Sequence, residues 1–222
     1  MIEPTPRILR LREHALNARP CSVSPEAELI RARTWLETAG EPWTILRRAR
    51  VTAALLRGLT PIIDPDELLV GKYDYRPLND QEDAELQCFR KWSEPAIAPV
   101  WGQRAHMAID FDKLLRLGLA GIRQEIQGYR GRLDITRPGD LEKDVFYRAC
   151  LLTLEALRDF AWRYAECAEA QAEREMDPTR KAELSEIAQV CRWVPENPAR
   201  TFREALQAVH FVTFSLCAGH GM

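Results

Sequence analysis

Apolar residues recur every three or four positions along most of this chain, the spacing of helices that each bury one face. Ser24-Pro25 supplies an N-cap and a first-turn proline, and Gly40 is placed to close the helix they open. Glu41-Pro42 opens the next, where Ile45, Ala49, Thr52, Leu55 and Leu56 share a face and Gly58 ends the run. Together these segments predict an antiparallel helical hairpin. From Thr60 the period changes. Pro61, Pro65 and the cluster Ile62, Ile63, Leu68, Leu69 and Val70 before Gly71 predict a turn and one short strand or hairpin near Glu67 to Val70. Residues 72–103 carry Pro77, Pro95 and Pro99 and acids from Asp80 to Glu85, so they read as a surface loop with one short helix inside a single domain.

The helical period then returns. Asp110, Phe111, Leu114, Leu115, Leu117, Ile122 and Ile126 mark an amphipathic helix in which Gly118 and Gly121 allow a close approach. After an Arg137-Pro138-Gly139 turn comes the longest helix, from Leu141 to Met176. Phe146, Cys150, Leu154, Leu157, Ala161, Tyr164 and Ala168 form its core stripe. Asp177-Pro178 starts another helix, reaching Trp193 before Pro195. Asn197-Pro198, reinforced by Thr201 and Glu204, starts the last, which is strongly apolar through Val209, Phe211, Val212 and Phe214. The predicted fold class is mainly α.

Composition narrows the function classes. A chain of 222 residues, 46% apolar and 29% charged, can bury a core and makes one domain or two small ones. The net charge of -2 gives no general field for nucleic acid. Ten arginines precede Leu59, but Glu13, Glu26, Glu28, Glu37 and Glu41 interleave with them, which predicts a solvated or ion-paired surface. The opening residues lack a basic leader with an apolar stretch, and no apolar run reaches membrane-spanning length, so the expected location is the cytoplasm, with no membrane partner. Six cysteines show no Cys-x-x-Cys pair and no zinc spacing, so no metal site is expected and the thiols read as reduced.

Four ordered stretches carry a resemblance. The first is Gly40-Glu41-Pro42 with Arg47-Arg48-Ala49, and the second runs from Pro61-Ile62-Ile63-Asp64-Pro65 through Asp66-Glu67-Leu68-Leu69-Val70-Gly71. The third is His106 with Asp110-Phe111, Leu114-Leu115 and Gly118-Leu119. The fourth spans Asp177-Pro178, Arg180-Lys181, Glu183-Leu184, Ile187-Ala188, Val194-Pro195 and Asn197 to Gln207. In this order they resemble the N-terminal part of the glycyl radical enzyme family, the pyruvate formate-lyase-like group. Ala105 stands where that family has glycine, and the stretch between Gly71 and His106 is shorter than usual.

The resemblance implies the helical N-terminal portion of the family's α/β barrel fold. It implies that residues 1–222 are a partial pyruvate formate-lyase-like domain lacking the cysteine loop and the glycyl radical loop. In the intact family an S-adenosylmethionine-dependent activase installs a glycyl radical, which oxidises a cysteine to the thiyl that attacks substrate. No catalytic residue is therefore expected here and no bound cofactor. Cys167-Ala168-Glu169 imitates the cysteine loop, but it lies deep in a helix without a preceding glycine and is rejected. His106 is the candidate substrate-binding residue, because its counterpart in hydroxyl-eliminating members lies near the leaving hydroxyl; a buried histidine bonded to backbone is the alternative. Asp66-Glu67 reads as structural. The implied function is a truncated or split glycyl radical enzyme, silent alone, whose parent is a radical lyase or dehydratase and whose partners are a C-terminal half and the activase. A non-catalytic helical module associating with a full-length paralogue is the alternative, and an arginine-rich nucleic-acid binder is the weakest.

Overall fold

The computed structural model describes residues 3–17, 24–71, 76–93 and 109–219, and among these it has eight helices and no strand. They are α1 (Pro6–Asn17), α2 (Pro25–Glu37), α3 (Thr44–Gly58), α4 (Asp80–Ser93), α5 (Phe111–Arg130), α6 (Asp140–Arg174), α7 (Pro178–Trp193) and α8 (Phe202–Gly219). Short polar side chains begin several of them. Ser24 accepts from the Ala27 N–H, Asp110 from Lys113 and Asp177 from Thr179, each taking up a helix donor that has no partner within the helix.

The 35-residue α6 is the spine, about 50 Å long at the helical rise. It lies against α3 and α7 along much of its length and against α5 and α8 beyond them. Ala156, Ala161, Ala165, Ala168 and Ala172 are all buried on it, and their small size lets neighbouring helices come close. Leu157, Phe160 and Tyr164 fill the space between. Phe160 stacks on Phe214 of α8 at 5.2 Å and meets Phe211 edge-on at 5.7 Å. Burying a side chain such as Phe160 or Phe211 stabilises by about 1.5–3 kcal/mol.

A backbone crossing fixes where α8 starts. Gly118, with φ of 63°, breaks the helical path inside α5, a conformation that suits only glycine at low cost. The N–H groups of Leu119 and Ala120 donate instead to the carbonyls of Pro195 and Glu196, each at 2.9 Å, and Ala199 donates back to Leu115. The Glu196 side chain is gripped by both arms of Arg123. The α7–α8 connection is thus pinned into the gap in α5.

Several expectations change in detail. The Glu67 to Val70 strand does not form, because a side chain rather than a second strand occupies its hydrogen-bonding edge. The last helix begins at Phe202, four residues after Pro198: Thr201 accepts from Glu204 N–H at 3.2 Å, while Asn197 closes α7 by donating to the Trp193 carbonyl. Glu204 accepts from the Arg200 N–H, so it reaches one residue further back than a capping box requires. Thr38 rather than Gly40 caps α2. At the near end of α6, Val145 and Ala149 face Leu46 and Ala49, which turns Phe146 outward at 51% exposure. Two helices are additional or longer. α1 starts at Thr5-Pro6, and α4 has a reciprocal cap in which Glu82 N–H donates to Asn79 Oδ1 at 2.9 Å and Asn79 N–H to Glu82 at 3.0 Å.

At Gly118 an added Cβ would sit 2.4 Å from the Glu196 carbonyl oxygen, whereas at Gly128 it would meet nothing within 4 Å. Urea denaturation should show Gly118→Ala losing about 2–4 kcal/mol from strain and overlap, and Gly128→Ala neutral or stabilised by about 0.5–1 kcal/mol.

Candidate functional site

Three polar residues punctuate α8 at helical spacing, Arg203, Gln207 and His210, and all reach the segment from Leu68 to Gly71. Gln207 is 1% exposed and its amide replaces the missing strand neighbour. Its Oε1 accepts from the Val70 N–H at 3.0 Å and its Nε2 donates to the Val70 carbonyl at 2.7 Å. One turn later His210 Nε2 lies 2.5 Å from the Gly71 carbonyl; the carbonyl can only accept, so this nitrogen carries the proton. One turn earlier Arg203 donates to the Leu68 carbonyl at 3.5 Å and pairs with Glu186 of α7. Gly71 has φ of 113° and lies against Phe211, whose ring a Cβ would approach to 3.3 Å.

The turn before this segment is held by guanidinium groups. Arg180, nearly buried on α7, donates to the Glu67 carbonyl at 2.8 Å and the Asp64 carbonyl at 2.9 Å. Arg7 of α1 donates to the Asp66 carbonyl and forks onto Glu183 at 2.5 and 2.9 Å. Those bonds from Arg7, joined by Arg180, hold the Glu183 carboxyl down at about 2. Asp66-Glu67, structural by expectation, is structural in fact: Asp66 takes Arg10, and Glu67 accepts from the Asp64 N–H.

Each of these side chains thus holds a stretch of backbone in place. Burial pushes the Cys150, Cys167 and Cys191 thiols up, so they stay protonated, and Cys167 lies beside the Pro61 carbonyl on α6. An open groove of about 710 Å³ beside α6 and α7 is bordered by Lys181, Ser185, Arg192 and Trp193, with Arg192 paired to Glu169. Among the described residues no three His, Cys, Asp or Glu side chains gather in a way that could hold a metal ion, and no helix is long and apolar enough to cross a membrane. His106 lies outside the described residues. Sequence reasoning missed His210 and Arg203; the available signal was a polar stripe at positions 203, 207 and 210, one helical turn apart, within a mainly apolar helix.

Residues 97–220 match the pyruvate formate lyase-like family, which is more than half of the chain. The chain belongs to that family, the glycyl radical enzymes. Isethionate sulfite-lyase of Nitratidesulfovibrio vulgaris is 44% identical over 103 residues, covering 46% of this chain and 12% of the relative. A glycyl radical enzyme structure from Archaeoglobus fulgidus superposes with a TM-score of 0.75 at 25% identity, over 94% of this chain and 34% of that one. A Roseburia inulinivorans structure concerned with 1,2-propanediol dehydration superposes with a TM-score of 0.86 at 23% identity, over 98% of this chain and 32% of that one, a likeness of fold. The chain thus spans about a third of the length of these two structures, and it is a helical piece of the glycyl radical enzyme barrel fold.

Gln207→Leu would leave both backbone groups of fully buried Val70 without partners, and urea denaturation should register a loss of about 2–4 kcal/mol. Glu183 has a depressed folded-state pKa, so its stabilisation is complete above its ordinary 4.5 and disappears as pH falls towards about 2. In acid titrations the stability difference between wild type and Glu183→Gln should shrink across that window.

Proposed function

We propose that this chain is the helical portion of a glycyl radical lyase or dehydratase acting on a small metabolite, and that it is catalytically silent by itself. The observation that carries this reading is how the motif residues are used. The Leu68 to Gly71 stretch is clasped by Gln207 and His210, and the Gly118 break receives Pro195 and Glu196, so the motifs serve assembly of one helical body. Burial raises the Cys150, Cys167 and Cys191 thiols and keeps them protonated, which suits structure and not radical relay.

In this reading residues 1–222 form a partial domain without the cysteine and glycyl radical loops, and both loops come from sequence corresponding to the unmatched two thirds of the relatives. A radical S-adenosylmethionine activase acts on the intact cytoplasmic enzyme. The sulfite-lyase and diol-dehydration relatives point to a substrate with a hydroxyl group or a sulfonate, and His106 contacts the substrate hydroxyl. A second reading, association with a full-length paralogue, is favoured by one surface. Phe202 is 80% exposed and Leu206 40% on the outer side of α8, beside Leu68 and Leu69 at 39% each.

The test is anaerobic incubation of the 222-residue chain with activase and S-adenosylmethionine, followed by electron paramagnetic resonance. The expected spectrum has no glycyl radical doublet, and a doublet from this chain alone would overturn the reading. Size-exclusion chromatography with a full-length relative checks the second: co-elution supports it, and a monodisperse monomer beside an unshifted partner removes it.

A further inference from the structure

Helix α1 leaves most of its apolar side chains in solvent. Ile8, Leu9 and Leu16 are 51%, 48% and 75% exposed, and none of the helix's residues is buried. A surface helix ordinarily turns its apolar stripe to the core. The face that α1 turns to the body carries half-buried Leu11, but its specific contacts are polar and charged. Arg7 forks onto Glu183, Arg10 forks onto Asp66 at 2.7 and 2.5 Å, and His14 Nε2 lies 3.6 Å from the Asp64 carboxylate.

The turn that these contacts grip is also held from the other side. Arg180 of α7 carries the Asp64 and Glu67 carbonyls, and the Asp64 N–H donates to Glu67 at 2.9 Å. The turn can therefore keep its shape when α1 leaves. Attachment by surface charge has its own signature: ion pairs weaken as the screening length falls from about 8 Å at physiological salt to about 3 Å at 1 M, while apolar contacts do not.

We propose that α1 is an ionic strap that closes over the Asp64 to Glu67 turn at low ionic strength and lifts away at high ionic strength, while the body from α2 to α8 stays folded. A released helix of 12 residues has too little intrinsic stability to persist, so its amides become those of a coil.

Hydrogen–deuterium exchange of the full chain in about 0.05 M and about 1 M sodium chloride tests this. The expected result is at least roughly tenfold faster exchange across α1 at high salt, with α6 and the Val70 amide unchanged. Arg10→Gln should release α1 already at low salt, and Ile8→Ser should leave it in place. Salt-independent exchange of α1, release only together with α6, a silent Arg10→Gln, or release by Ile8→Ser would each overturn the proposal.

Discussion

The architecture depends on one place where two backbones touch. Gly118 removes a side chain and a helical dihedral at once, and the N–H groups of Leu119 and Ala120 are satisfied by Pro195 and Glu196. A buried amide without a partner is costly, so the gap in α5 and the path of the α7–α8 connection specify one another. The direction in which α8 leaves follows from this crossing, and with it the placement of Phe211 and Phe214 against the α6 spine.

The interior and the periphery use different forces. Along α6, alanines and a few aromatics give a dry contact whose strength comes from close packing. At the edges, α4 meets α2 through the bidentate pairs Arg33 to Glu85 and Arg90 to Glu28 around the buried Leu86. Of the early arginines, Arg7, Arg10, Arg33, Arg50 and Arg57 form ion pairs, all but Arg50 with acids outside the interleaved glutamates, and Arg47 instead donates to the Trp35 carbonyl and lies over its ring. Arg76 continues the pattern, bridging Glu82 and the buried Glu26, whose carboxylate also receives Thr60.

Helix positions were legible where periodicity and caps agreed, as at Ser24-Pro25, Asp110 and Asp177-Pro178. The close approach expected at Gly118 is real, because a glycine inside a strong helical pattern needs a packing reason. What stayed hidden was hidden for physical reasons. A β-branched, proline-bounded run at residues 61–71 has strand character, but strand pairing depends on a partner from elsewhere in the chain, and here the partner is a glutamine side chain. Asn197-Pro198 and Thr201-Glu204 are both valid starts, and only the crossing with α5 decides between them. In α4, proline counts outweighed the Asn79-x-x-Glu82 cap that sets its beginning. The family was readable from ordered motifs. The roles of Gln207 and His210 were not, because each acts on backbone 137 and 139 residues distant in sequence.

The Gln207 clasp engages only atoms that every amino acid except proline possesses. It recognises the course of the main chain at Val70 and is indifferent to the neighbouring side chains. Leu68 and Leu69, just before this hold, leave about two fifths of their surface exposed. A change in those side chains therefore leaves the hydrogen bonds that Gln207 makes to the Val70 backbone in place.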